Sequence, residues 1–191
     1  MGEYSIHITD DKMRDINTLI LDVDGVLTNG TMIYGNDGNE SKIFHFRDGK
    51  GISLAKVAGI RVILMTSEET KLIMNRAKKL GIDDDAYLGI KNKLRGLEEI
   101  VTKNNLDLKN IAFIGDDIND IPALNKVGLP IAVNDAVDEV KELVRKRGGF
   151  ITIKKGGKGA VREAIETILK KQGRWEKVIE KDIQRQLGEK R

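Results

Sequence analysis

Apolar positions along the chain fall into two alternating patterns. The segments "TLILDV" (18–23), "IRVILMT" (60–66), "NIAFIGD" (110–116) and "LPIAV" (129–133) are near-continuous apolar runs of strand length. Runs of that kind are expected of strands buried on both faces. Between them, "GISLAKVAG", "EETKLIMNRAKKLG", "NKLRGLEEIVTKNN" and "DINDIPALNKVG" carry apolar residues at helical spacing, and several close with glycine, a common helix stop. The alternation predicts an α/β fold, a doubly wound and mainly parallel sheet with helices on both faces.

Two segments depart from that rhythm. "TMIYGNDGNESKIFHF" (31–46) places two short strand-like stretches around "GNDGNE", which predicts a β-hairpin inserted just after the first strand. "GRWEKVIEKDIQRQLGEKR" sets Trp175, Val178, Ile179, Ile183 and Leu187 on one helical stripe, which is expected to bury against the body or another subunit. The expected organisation is therefore one domain over residues 1–172 and an amphipathic C-terminal helix and tail over 173–191.

Composition narrows the class. The 191 residues suit one domain with a proper core. No cysteine is present, which removes disulfides, thiolate metal sites and a cysteine nucleophile, and fits a cytoplasmic location. The polar start and the lack of an apolar run of about 18 residues predict neither a signal peptide nor a membrane span. The net charge of +3 hides an asymmetry: residues 154–191 hold 12 Lys/Arg against 6 Asp/Glu, leaving 21 against 24 elsewhere. With a single aromatic and no run of five like charges, that basic tail suits a small anionic substrate better than nucleic acid or a membrane surface.

Ligands of open α/β sheets bind beyond the carboxyl ends of the strands. There this sequence would gather Asp22 and Asp24, Thr66 and Ser67, and Asp116 and Asp117. Carboxylates so crowded cannot all stay ionised without a cation. Oxygen ligands with no histidine or cysteine nearby point to Mg2+. Lys93 could add positive charge for an anionic substrate, with Lys91 the substitute. Acidic cluster, hydroxyl and lysine together suggest phosphoryl transfer: one carboxylate attacks phosphorus, and a second, two residues on, protonates the leaving oxygen. Thr66 is open to either of two roles, touching phosphate or capping the next helix. Glu68 is likewise a specificity residue or a first-turn helix residue, Lys158 a substrate contact or a solvated charge, and Asp117 and Asp120 supporting or purely structural.

"DVDGVLTNG", "ILMT", "NKL" and "GDDIND", in this order and at these spacings, resemble the four motifs of the haloacid dehalogenase superfamily across residues 18 to 120. The resemblance implies Asp22 as nucleophile, Asp24 as acid and base, Thr66 and Lys93 on the phosphate, and Mg2+ on Asp22, the Asp24 main-chain carbonyl and Asp116. It leaves Asp117 and Asp120 as supporting residues. No segment is long enough for a cap domain. The hairpin, "RDGKGI" (47–52) with Asp48, and "GGKGAVRE" (156–163) with Lys158 resemble the 3-deoxy-D-manno-octulosonate 8-phosphate phosphatase group. That likeness implies a homotetramer in which hairpins pack together and a neighbour's tail closes the site, with Asp48 and Lys158 near the substrate. One departure is Glu68 in "TSE", where the octulosonate enzymes usually read "TGR". With Lys79, Glu68 is more similar to phosphatases of nonulosonate 9-phosphates. The implied activity is magnesium-dependent hydrolysis of 3-deoxy-D-manno-octulosonate 8-phosphate. The alternatives are a nonulosonate 9-phosphate phosphatase and a non-catalytic oligomerisation module of a sugar-nucleotide pathway.

Overall fold

The computed structural model describes residues 10–188; the ends of both expected ranges, residues 1–9 and 189–191, lie outside them. After a short helix, α1 (Asp10–Arg14), the chain forms β1 (Thr18–Leu21), the hairpin strands β2 (Ile33–Tyr34) and β3 (Glu40–Ser41), and α2 (Phe46–Val57). There follow β4 (Arg61–Met65), α3 (Lys71–Leu80), β5 (Ala86–Tyr87), α4 (Lys93–Asn104) and β6 (Ile111–Gly115). The chain continues through α5 (Ile121–Leu124), β7 (Leu129–Ala132), α6 (Asp138–Lys146), β8 (Phe150–Ile151), α7 (Ala160–Lys171) and α8 (Trp175–Gly188).

Six strands make one parallel sheet in the order β5-β4-β1-β6-β7-β8. β1 lies between β4 and β6, with Leu21 opposite Leu64 on one side and Ile114 on the other. Every residue of β1, β6 and β7 is buried, as their unbroken apolar runs require. From β1 the chain winds outward through β4 to β5, then returns past β1 to β6 and winds the other way. Right-handed crossovers therefore put α2 and α3 on one face and α4, α5 and α6 on the other. The strand order reverses beside β1, so the loop after that strand sits at the crevice where such sheets bind ligands.

The four apolar runs all form sheet strands within two residues of their expected bounds. The edge strands β5 and β8 were not expected, because two residues carry too little pattern to register. Helix α6 was also not expected, although Val140 and Val144 are buried four residues apart. "DINDIPALNKVG" is a 3-10 turn (Ile118–Asp120) followed by the four-residue α5, not one helix. The Asp120 side chain draws in the main-chain N–H groups of Asp116 and Asp117, and Pro122 restarts the chain as a separate turn.

The tail packs closely on the site. Gly157 donates its N–H to the Val26 carbonyl at 2.9 Å, and a Cβ on Gly156 would stand 1.6 Å from the Gly25 carbonyl oxygen. Only glycine permits that approach, so "GGKG" props the loop after β1 of its own chain. Beyond it, α7 lies along α2, burying Ala160, Val161, Ala164, Ile165, Ile168 and Leu169. The stripe expected on α8 is only partly used: Val178 is buried and Trp175 and Ile179 half-buried, while Ile183 and Leu187 face solvent. Instead a buried Asp182 carboxylate accepts from Lys50 of α2 at 2.5 Å and fixes the lower part of α8.

Candidate active site

The site forms where β1, β4 and β6 run out. The Asp22 N–H donates to the Ile114 carbonyl at 3.1 Å, continuing the strand pairing, after which the N–H groups of Val26, Leu27 and Thr28 all converge on the Val23 carbonyl. That tight turn holds Asp22 buried and Asp24 partly open. Gly25, with φ +83°, is required at its tip, since a Cβ there would lie 1.9 Å from Asp116 Oδ2.

Lys93 is the centre of charge. Its Nζ donates to Asp22 Oδ1 at 2.7 Å and to the Met65 carbonyl at 2.8 Å, and it stands 3.1 Å from Asp120 Oδ1. The side chain is fully buried although it begins a helix, because Asn92 caps α4 by accepting from the Arg95 N–H and turns Lys93 inward. Lys91 stays exposed, so of the two lysines it is Lys93 that the fold brings to Asp22. Burial opposes the Lys93 ammonium, but the charges of Asp22 and Asp120 and hydrogen bonds to both outweigh it, and its pKa is raised.

Thr66 follows β4 and is buried. Its Oγ1 accepts from the Glu68 N–H at 3.2 Å, while Thr70, not Thr66, caps α3 by accepting from the Ile73 N–H. Thr66 and Glu68 line one small cleft, about 300 Å3, together with Asp22, Asp24, Asp116 and Asp117. The helix-cap reading of Thr66 is thereby removed.

Asp22, Asp116 and Asp120 offer oxygens that lie within 4.8 Å of one another. Asp120 is buried, and its Oδ2 accepts from the Asp116 N–H at 3.0 Å. Asp117 is exposed and accepts from the Ile118 N–H, so it stabilises the turn. Asp116 Oδ1 is buried with no hydrogen-bond partner. Burial first, then the charge of Asp120, pushes the Asp22 carboxyl up to about 7; burial, then Asp22 and Asp120, pushes Asp116 up to about 8. Hard oxygen donors, an orphaned carboxylate oxygen and mutual repulsion together fit a divalent cation such as Mg2+. The Asp24 carboxylate is not in that group, which leaves its main-chain carbonyl as the ligand the sequence resemblance assigns.

Two expected substrate residues lie elsewhere. Asp48 on α2 is buried, and its carboxylate accepts from the N–H groups of Gly159 at 3.2 Å and Arg162 at 2.8 Å. It supplies the N-terminal cap that Gly159 itself lacks, so it ties α2 to α7 and does not face the cleft. Lys158 is exposed on a separate groove beside Arg47, Lys154 and Arg162. Within one chain neither reaches Asp22.

One residue escaped the sequence altogether. Lys42, just after β3, is buried, and its Nζ donates to both Asp24 oxygens at 2.6 and 2.7 Å. A lysine in a polar hairpin reads as solvated, and nothing in its neighbourhood announces a partner 18 positions earlier.

The haloacid dehalogenase-like hydrolase family matches residues 88–165. The 3-deoxy-D-manno-octulosonate 8-phosphate phosphatase of Salmonella typhi is 40% identical over 173 residues, covering 91% of this chain and 89% of that protein. The phosphatase of the same name from Yersinia pestis superposes with a TM-score of 0.82 at 37% identity, over 90% of this chain and 89% of that one. The Moraxella catarrhalis phosphatase, crystallised with magnesium ion, phosphate ion and KDO, superposes with a TM-score of 0.83 at 35% identity, over 90% and 95% of the two chains.

The raised carboxyl groups carry a stability signature. Folded protein holds protons on Asp22 and Asp116 that the unfolded chain sheds near the ordinary carboxylate range. The stability they contribute is full below that range and is lost as pH rises through about 7 to 8. In chelator, the melting temperature should fall by several degrees between pH 5 and pH 8, and Mg2+ should restore it at pH 8 far more than at pH 5. A flat chelator profile that Mg2+ leaves unmoved would contradict the cluster's electrostatics.

Proposed function

The chain belongs to the haloacid dehalogenase-like hydrolases, in the family of 3-deoxy-D-manno-octulosonate 8-phosphate phosphatases, and from that premise we propose that it hydrolyses 3-deoxy-D-manno-octulosonate 8-phosphate to the free sugar acid and phosphate. The observation that carries the chemistry is a buried Asp22 held at 2.7 Å by a fully buried Lys93, within oxygen reach of Asp116 and Asp120.

An Asp22 oxygen attacks phosphorus. The bond from phosphorus to the sugar oxygen breaks, its electron pair leaves with that oxygen, and Asp24 supplies the proton. Water then attacks the phospho-aspartate, Asp24 takes the water proton, and the bond to Asp22 breaks to return the carboxylate. Lys93 keeps Asp22 aimed and offsets incoming negative charge. Thr66 accepts from the Glu68 N–H, so its own hydroxyl proton is available to a phosphoryl oxygen. Asp22, Asp116 and the Asp24 main-chain carbonyl would hold Mg2+, with Asp120 fixing Asp116 through its N–H. Bound there, Mg2+ supplies positive charge beside the phosphoryl oxygens.

A second reading, a nonulosonate 9-phosphate phosphatase, draws support from Glu68, which lines the cleft where an acidic residue would bond sugar hydroxyls. Lys79, the other residue of that likeness, is exposed on α3 and does not line it. The complete carboxylate and lysine set speaks against a non-catalytic module. A cytoplasmic location fits the cysteine-free composition.

The chain's assembly as a homotetramer is part of the same proposal. Ile33, Tyr34 and Ile43 of the hairpin and the adjacent Phe46, 87% exposed, form apolar surface of the sort that partners cover. A neighbour's tail could then bring a residue such as Lys158 to the cleft.

Phosphate release from the octulosonate 8-phosphate and a nonulosonate 9-phosphate, side by side with Mg2+, should favour the first by more than about tenfold, the discrimination of roughly one good contact. Preference for the second would transfer the assignment to the Glu68 reading. Light scattering should give four times the 21.3 kDa chain mass; a monomer would remove the shared-site arrangement.

A further inference from the structure

The hairpin after β1 is exposed almost throughout. Between residues 31 and 43, Lys42 alone is buried, and its side chain has no solvent exposure at all. Its ammonium does not reach water but ends on the Asp24 carboxylate, bonded to both oxygens at 2.6 and 2.7 Å. The other side-chain contact to Asp24 is a long one, 3.4 Å from Thr28 Oγ1 to Oδ1. Asp24 remains 29% exposed toward the cleft, so its direction is set by this lysine more than by packing.

We propose that Lys42 is a positioning residue of the phosphatase, one that aims the Asp24 carboxyl group at the leaving oxygen and makes that aim depend on the hairpin. The proposal rests on the phosphatase reading given above. An ammonium has three N–H donors. Two of them hold both Asp24 oxygens and fix the plane of the carboxyl group; when one oxygen takes up the proton it will deliver, the bond to the other oxygen still holds that plane. A carboxyl group left to rotate would lose alignment, and misplacement of that order costs about a hundredfold in rate. Lys42 is itself neither a residue of the cleft lining nor a member of the acidic cluster, and it meets the cleft only through Asp24. Because the hairpin carries the exposed apolar residues Ile33, Tyr34 and Ile43, whatever covers that surface would also fix Lys42, and with it Asp24.

The test uses leaving groups. Breaking the bond to a sugar alkoxide needs the Asp24 proton, whereas 4-nitrophenolate leaves without help. With the full-length protein and Mg2+, Lys42→Met should lower kcat/KM for the octulosonate 8-phosphate about a hundredfold and for 4-nitrophenyl phosphate by less than about threefold. Lys42→Arg should recover most of the loss. Equal losses on both esters would make Lys42 merely structural, and no loss on either would make it irrelevant; each overturns the proposal. Should Lys42→Met fail to fold, Lys42→Arg carries the same comparison, its smaller defect again confined to the sugar ester. Melting temperatures of Lys42→Met, Asp24→Asn and the double variant read the contact without turnover: losses should be less than additive, and additive losses overturn it. A wild-type protein active on neither ester would sink the phosphatase reading, while the melting cycle would still report on the contact.

Discussion

Lys93 is a charged side chain with no exposure to water, and its position at the carboxyl edge of the sheet constrains everything around it. An ammonium in such a place is tolerated only when partners surround it, and removing one partner of a buried pair costs about 3 to 5 kcal/mol. Asp22, Asp120 and the Met65 carbonyl supply those partners. Asp116 brings a third carboxylate to the same spot, one more than a single ammonium and its hydrogen bonds can balance. Burial first, and then this excess of carboxylates, raises the proton affinity of Asp22 and Asp116, and one Asp116 oxygen is left without a partner. A site with that imbalance attracts a divalent cation and, beside it, a phosphoryl group.

The sheet makes the crowding possible. β1, β4 and β6 are neighbours and end level with one another, so residues far apart in sequence arrive at one crevice without a long loop. The tail then closes the back of the loop through glycines 156 and 157, whose lack of side chains lets two main chains touch. Asp48 contributes from behind, by capping the helix that follows those glycines. It supports the site by holding the tail in place, a different role from the substrate contact its motif suggests.

Much of this was legible in the chain. Strands buried on both faces leave continuous apolar runs, so β1, β4, β6 and β7 could be read directly, and the polar residues that end three of them could be placed together. What could not be read depends on geometry across long separations. Lys93 is the first choice on paper with Lys91 its substitute, but the burial of Lys93 behind the Asn92 cap is a matter of local geometry that two nearby lysines do not announce. Thr66 and Thr70 could each have capped α3. Lys42 meets Asp24 only because the hairpin folds back over the loop, and Asp48 meets residues more than 110 positions away. Two-residue strands such as β5 and β8 carry no periodicity, because neighbours rather than their own residues define them.

The proposed chemistry requires Asp22 to become covalently phosphorylated during turnover. Borohydride added to the protein while it hydrolyses substrate with Mg2+ reduces an aspartyl phosphate to homoserine, and peptide mass spectrometry locates the change. Homoserine is expected at position 22, dependent on substrate and on Mg2+. Turnover that proceeds with Asp22 unmodified, or with the modification at another carboxylate, would contradict that chemistry.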